Sequence, residues 1–271
     1  MASKASNLAL RLLSAAIISP PLLWVLFRGP RWGWLIIVAV VATLASRELY
    51  RMVIPNALSW RLAGNGLTLA WIAALIFAPS IPTLISAQVV ITTVIMVLTV
   101  FRPVPVESAH IRVGWLLAGP LYIGGGMAAA ALLQVLDHGP SWLLLSMMLA
   151  WFSDTGAYFV GKRFGKRPLL PSVSPSKTIE GSLGGLGGSV LGAYVAAFTY
   201  LPVLPLDRAL LLGLVVGAIG QCGDLFESLI KRATGVKDSG SVLPGHGGML
   251  DRIDAFLFTT IATWLYVVWL H

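Results

Sequence analysis

Apolar stretches follow one another along almost the whole chain, with short polar segments between them. A helix needs about 20 apolar residues to cross the hydrocarbon core of a bilayer, so this pattern predicts nine transmembrane helices. Their predicted ranges are 12–28, 33–52, 62–79, 82–101, 114–136, 141–161, 179–203, 209–230 and 252–270. We therefore expect an all-α, polytopic integral membrane protein that has the lipid bilayer as a partner.

The first apolar stretch has two interpretations. Lys4 and Arg11 precede it, as basic residues precede the apolar region of a signal peptide. Pro20 and Pro21 interrupt the stretch, however, and no clean small-residue cleavage site follows. We favour a first helix that is retained over a signal that is removed.

Composition agrees with a membrane protein. The 271-residue chain is 57% hydrophobic and 11% charged, whereas soluble proteins carry about 25% charged residues. No polar stretch is long enough to form a soluble domain by itself, and we expect no nucleic-acid partner. The single cysteine, Cys222, excludes an internal disulfide.

Basic residues orient the predicted spans. They concentrate in the loops after spans two, four, six and eight, whereas the other loops carry only Arg28, Arg31 and Arg208. Because cytoplasmic loops are enriched in Lys and Arg, the even-numbered loops and the N-terminus are predicted to be cytoplasmic.

Acidic residues divide the chain into two predicted units. Most of them lie in or beside the last four spans. Residues 1–136 are therefore interpreted as a scaffold of about five spans. Residues 137–271 are interpreted as a catalytic region of about four spans, with cytoplasmic loops at 162–178 and 231–251.

Span eight carries a carboxylate that is unusually deep for a membrane helix. Asp224, Glu227, Ser228 and Lys231 share one helix face by their spacing. At 1.5 Å per residue, Asp224 lies roughly 12 Å inside the cytoplasmic end, where a lone carboxylate costs about 2.5–3.5 kcal/mol. An ion pair with Lys231 is one explanation for Asp224, and a metal ligand in a wet cavity is the favoured one.

The start of span nine supplies further oxygen ligands. Asp251 and Asp254 lie one turn apart, and together with Asp224 they offer carboxylates from two helices. Mg²⁺ prefers one or two carboxylates plus substrate phosphate oxygens. Acids that complement the dipole of a helix N-terminus are the alternative for one of the pair.

Two polar loops add candidate anion-binding groups. Lys237 and Asp238 begin a loop in which glycines surround His246, so the loop is either an anion site formed by backbone N–H groups or an ordinary tight turn. The basic loop from Lys162 to Lys177 is either a topology signal or a phosphate-binding segment. Asp154 lies at the same predicted depth as Asp224, which predicts one shared cavity.

Glycines at the start of span seven have a structural interpretation. The segment EGSLGGLGGSVLG lacks the Lys-Ser/Thr ending of a nucleotide-binding loop. Its small-xxx-small spacing instead favours close helix packing.

These polar segments resemble the CDP-diacylglycerol synthases (phosphatidate cytidylyltransferases). The chain from Ser228 to Asp254 is similar to the C-terminal signature of that family, S-x-x-K-R-x4-K-D-x-G/S-x-x-L-P-x-H-G-G-x-x-D-R-x-D, without a departure at a polar signature position. The chain from Ser174 to Gly181 resembles a second block with the core S-P-x-K-x-x-E-G.

The resemblance implies a function. It implies transfer of CMP from CTP to phosphatidate, giving CDP-diacylglycerol and pyrophosphate in phospholipid biosynthesis, with Mg²⁺ as cofactor and a second cation left open. It further implies a homodimer in a bacterial-type inner membrane, with the active site facing the cytoplasm. Asp224 and Asp251 correspond to metal ligands of the family. Their positions alone also favour them as metal ligands.

The expected site residues fall into three groups. The residues expected to act in catalysis are Asp224, Asp251, Lys231, Lys237, Asp238, His246, Arg252 and Asp254. The residues expected to bind substrate are Ser174, Ser176, Lys177, Glu180, Arg232, Gly247 and Gly248. Asp154, Glu227 and Ser228 are expected to orient the metal ligands.

Two other functions fit parts of the pattern. An ion-coupled transporter also places acids within Gly- and Pro-interrupted spans, but here the charges gather near one face. A CTP-dependent lipid-alcohol kinase would share the nucleotide and transfer a different phosphate.

Overall fold

The fold is known from a computed structural model that describes residues 17, 19–102, 105–242 and 247–271. Residues 19–28 are helical and form α1. The other helices are α2 Arg31–Val53, α3 Leu58–Phe77, α4 Ile81–Phe101, α5 Ala109–Gly119, α6 Gly125–Leu133, α7 Gly139–Phe164, α8 Ile179–Thr199, α9 Leu206–Ala233 and α10 Leu250–Trp269. A 3₁₀ turn at Val106–Ser108 precedes α5, and a π-helical turn at Pro120–Gly124 joins α5 to α6.

Within the described parts of the chain, seven helical segments are long and apolar enough to cross a membrane. These are α2, α3, α4, the segment Val106–Leu133, α7, α8 and α9. This confirms an all-α, multi-pass membrane protein. α10 is not among the seven because Arg252 and Asp254 lower its hydropathy. The count of nine spans and the cytoplasmic N-terminus stay predictions.

Close helix packing shapes the C-terminal half, where α7 lies against α8 and α9 lies between α8 and α10. A Cβ at Gly188 would overlap the carbonyl oxygen of Phe152, and a Cβ at Gly184 would overlap the side chain of Val160. The glycines of α8 therefore let α7 approach closely, as their spacing predicts.

The N-terminal helices pack around buried aromatic residues but leave an apolar outer face. Tyr50 of α2 is fully buried, and a Cβ at Gly64 or Gly119 would overlap its ring. In α4, by contrast, Ile95 is the only buried residue among those described. α4 therefore presents apolar side chains outward, which suits a wall against lipid.

A two-stranded sheet lies where the sequence predicts only a loop. β1 Pro168–Leu170 pairs antiparallel with β2 Ser174–Thr178, with Leu170 opposite Ser174. Proline and serine are poor strand formers, so the local sequence does not signal the hairpin. The Glu180 carboxylate accepts from the backbone N–H groups of Lys166 and Arg167 and so ties the two ends of the hairpin together.

Candidate active site

A cavity of about 470 Å³ lies among α7, α8, α9 and the hairpin. Asp154 of α7 and Asp224 of α9 both line it. The prediction that these two acids share one cavity is therefore confirmed. Ser176 and Lys177, at the end of β2, line the same cavity, so the hairpin brings hydroxyl and ammonium groups toward the carboxylates.

Asp224 forms an ion pair with Lys177. The Lys177 ammonium donates to Asp224 Oδ2 at very short range, and both side chains remain about 30% exposed (30% and 28%). The alternative in which Asp224 pairs with Lys231 is wrong. The hairpin, which is not visible in the sequence pattern, delivers a cation from another element.

Lys231 instead joins α9 to α10. Its ammonium lies 2.7 Å from Glu227 Oε2 and 2.6 Å from Asp251 Oδ1. Glu227 is fully buried, and its Oε1 has no hydrogen-bond partner within the described parts of the chain. A buried carboxylate oxygen without a donor is costly, so this atom suits a bound cation or a water molecule.

The second oxygen of Asp251 is held firmly. Oδ2 accepts from the backbone N–H groups of Ser239 and Gly248 and from the Ser239 hydroxyl, each at 3.0 Å. A Cβ at Gly248 would overlap the Ser239 oxygen, so only glycine allows this approach. The other oxygen, Oδ1, accepts from the Lys231 ammonium, so both oxygens of Asp251 have protein partners.

The carboxylates form one electrostatic cluster. Asp254 lies within Coulombic range of Asp224, Glu227 and Asp154. Together with Asp251 these are five carboxylates, and within the described parts of the chain the side chains of Lys177, Lys231 and Arg252 bring positive charge to them. A bound cation would reduce the repulsion among these carboxylates.

The protein side chains could supply only part of a Mg²⁺ coordination shell. Among the described residues, no three His, Cys, Asp or Glu side chains converge to form a metal site alone. Mg²⁺ normally takes one or two carboxylates and completes its shell with water and substrate phosphate. Asp224 lines the cavity, whereas Asp251 is not among the described residues that line it, and the assignment of both as Mg²⁺ ligands stays a prediction.

Comparison with known proteins gives the family. The chain matches the Cytidylyltransferase family over residues 9–270. The chain belongs to the cytidylyltransferase family.

Three curated relatives are phosphatidate cytidylyltransferases. That of Bacillus subtilis (strain 168) is 40% identical over 173 residues, which are 63% of this chain and 64% of the relative. That of Synechocystis sp. is 44% identical over 139 residues, covering 49% and 46% of the two chains. That of Staphylococcus aureus (strain COL) is 47% identical over 124 residues, covering 45% and 47%. Each match spans less than two thirds of the relative's own length.

The remaining expected residues of this cytidylyltransferase-family chain differ in their exposure. Ser228 is buried on α9, whereas Lys237, Asp238 and Arg252 are exposed. Gly247 has a positive φ of 79°, and its Cβ position would contact Asp251 Oδ2. His246 and residues 243–245 lie outside the described residues.

Two residues expected to bind substrate contact other protein groups. The Glu180 carboxylate lies 2.9 Å from the Arg167 guanidinium and anchors the hairpin. Arg232 donates to the carbonyl oxygens of Val173 and Val236. Both contacts stabilise the region around the hairpin, and the roles of Glu180 and Arg232 in substrate binding stay predictions.

Polar side chains that the sequence analysis did not identify also line the cavity. Gln221 donates to the Ser153 hydroxyl and to the Ser182 carbonyl, and it accepts from the Ser182 hydroxyl. Gln221 lies three residues before Asp224 and therefore on the same helix face. That spacing is a signal that could have identified it.

Tyr122 and Glu48 are two further residues that the sequence analysis did not identify. The Tyr122 hydroxyl is buried without a partner among the described residues, and it lies within Coulombic range of Asp254 and Glu227. Glu48 of α2 accepts a hydrogen bond from Ser239. No local pattern identifies either residue, because each comes from a helix far away in the chain.

Proposed function

We propose that the chain transfers the CMP moiety of CTP to phosphatidate, giving CDP-diacylglycerol and pyrophosphate. The observation that carries this proposal is the shared cavity. There, the carboxylates of α7 and α9 meet an ammonium group from the hairpin, in a chain of the cytidylyltransferase family.

The proposed reaction is an in-line displacement at phosphorus. An oxygen of the phosphatidate phosphate forms a bond to the α-phosphorus of CTP, the bond from that phosphorus to the bridging oxygen breaks, and pyrophosphate leaves with its electron pair. A phosphate monoester is already a competent nucleophile near neutral pH. Alignment and neutralisation of two anions are therefore the main tasks of the protein.

The cofactor is proposed to be Mg²⁺ held by Asp224 and Asp251. When bound, it would neutralise phosphate oxygens and align the two reactants. Asp154, Glu227 and Asp254 would orient the metal ligands. Whether a second cation binds is left open. Lys177, which lines the cavity, would exchange its carboxylate partner for a phosphate oxygen as substrate enters.

Substrate contacts follow from the two polar loops. Ser176 and Lys177 at the cavity are proposed to bind the phosphate of phosphatidate. Lys237 and Arg252, which are exposed, are proposed to meet CTP or the leaving pyrophosphate. The concentration of basic residues in these loops supports a site that faces the cytoplasm of a bacterial-type inner membrane. A homodimer and a scaffold role for residues 1–136 belong to the same proposal.

The test is a reaction with detergent-purified protein, phosphatidate and Mg²⁺. CTP labelled in its cytidine should give labelled lipid, and a chelator should abolish the product. Label that enters lipid only from the γ-phosphate would instead show a kinase. Solute flux into proteoliposomes without CTP, in the absence of lipid product, would show a transporter.

A further inference from the structure

Glu48 is a buried acid of α2 that reaches across the fold. Its side chain is 2% exposed. It accepts from the Ser239 hydroxyl at 3.0 Å, from the Met249 N–H at 3.0 Å and from the Leu250 N–H at 2.8 Å. One carboxylate therefore connects α2 to Ser239 in the loop before α10 and to the first residues of α10.

Two of these donors belong to the start of α10. The first N–H groups of a helix lack intrahelical partners and carry partial positive charge. No side-chain cap comes from the residue at the N-cap of α10, Met249. Glu48 therefore caps α10 from another helix, and its charge complements the dipole of α10.

The third donor links Glu48 to Asp251. The Ser239 oxygen lies 3.0 Å from Glu48 Oε2 and 3.0 Å from Asp251 Oδ2. A hydroxyl has one proton, so it donates to one carboxylate at a time. Ser239 therefore lies between the two acids, and a shift of Glu48 would be transmitted to Asp251.

The glycines of the loop are explained by the same contact. A Cβ at Gly240 would overlap Glu48 Oε1, and a Cβ at Gly248 would approach Glu48 Oε2 as closely as 2.6 Å. The chain on both sides of Glu48 thus has no side chain that would displace its carboxylate. A buried acid that only filled space would not need this fit.

We propose that Glu48 is a positioning residue that sets the orientation of Asp251 by capping α10 and holding Ser239. Glu48 does not line the cavity, so its effect on reaction passes through Asp251. This inference rests on the proposed function, in which Asp251 is a metal ligand.

The deciding variant is Glu48→Gln, which keeps the size of the side chain but leaves one acceptor oxygen. Mn²⁺ binding, measured by electron paramagnetic resonance without substrates, should weaken about three- to tenfold. Glu48→Ala should weaken it about 10- to 100-fold, as loss of a group that orients a metal ligand typically does. The Mg²⁺ concentration that gives half-maximal activity should rise in parallel, while the KM for phosphatidate stays close to that of the native chain.

Controls separate this role from general stability. Glu107→Gln changes an exposed acid before α5 and should leave Mn²⁺ binding unchanged. In a double-mutant cycle, Glu48→Gln and Ser239→Ala should show non-additive effects on Mn²⁺ affinity, because both act on Asp251. A Glu48→Gln protein with a lower melting temperature but native Mn²⁺ affinity would overturn the inference. Absence of CTP-dependent product from the native chain would instead overturn the proposed function.

Discussion

Two lysines neutralise the carboxylate cluster, and they do so from different kinds of structure. Lys177 lies on the short hairpin and leaves its ion pair with Asp224 about 30% exposed (30% and 28%). Lys231 lies within α9, where its side chain is 12% exposed and its partner Glu227 is fully buried. The Lys177 pair, which is partly exposed, borders the cavity, whereas the buried Lys231 pair holds α9 against α10.

This difference separates two tasks. A pair between exposed groups contributes little to stability, because water already solvates both charges. A buried pair leaves an uncompensated charge when one partner is lost. We therefore expect Lys177 to act mainly on substrate and Lys231 to act on both stability and catalysis.

The largest effect is expected when Asp224 or Asp251, each a partner of one lysine, loses its charge. Asp224→Asn and Asp251→Asn should each lower the rate of CMP transfer by about 1,000-fold, because each removes a proposed metal ligand. The measurement is labelled lipid formed from CTP by protein that remains folded in detergent. Asp207→Asn, an exposed substitution beside Arg208, should keep native activity. Full activity of the Asp224 or the Asp251 variant would remove the metal proposal.

The next effect concerns the buried pair. Lys231→Met should lower the stability by about 3–5 kcal/mol, because Glu227 and Asp251 would lose their shared cation. Thermal unfolding in detergent measures the loss. The double variant Lys231→Met with Glu227→Gln should recover part of it, since the buried charge is then also removed. A Lys231→Met protein as stable as the native chain would contradict the contrast between the two pairs.

Loss of the partly exposed Lys177 pair should affect activity more than stability. Lys177→Met should change the stability by less than about 1 kcal/mol. It should lower kcat/KM for phosphatidate by about 10- to 100-fold, because it removes a charge-assisted contact to phosphate. Initial rates at varied phosphatidate give kcat/KM. Lys166→Met, an exposed hairpin-side lysine, serves as the charge-matched control and should change the rate far less.

The smallest effect is expected for Glu180, whose carboxylate anchors the hairpin. Glu180→Gln keeps the shape of the side chain but removes its charge opposite Arg167, which is 69% exposed. The KM for phosphatidate should rise about threefold, since exposed ion pairs are worth well under 1 kcal/mol. Steady-state kinetics at saturating CTP measures the change. A loss as large as that of Lys177→Met would mean that Glu180 contacts substrate directly.

Relations within one helix were predictable from the sequence. Glu227 and Lys231 are four residues apart on a helix, and their charged groups meet at 2.7 Å. The apolar lengths predict membrane-spanning helices, and the glycine spacing of α8 predicts its close approach to α7. Each of these depends on helical periodicity and length alone, which a sequence displays directly.

The sequence by itself determined the helical membrane architecture, the family and the acids of the proposed cation site. Tertiary structure alone decided that Lys177 pairs with Asp224, that Lys231 bridges to Asp251 and that Glu48 caps α10. Those contacts join residues from different elements, and they depend on how each helix is rotated and where each loop crosses it. Helical periodicity relates residues within one helix, whereas the packing between elements arises only when the whole chain has folded.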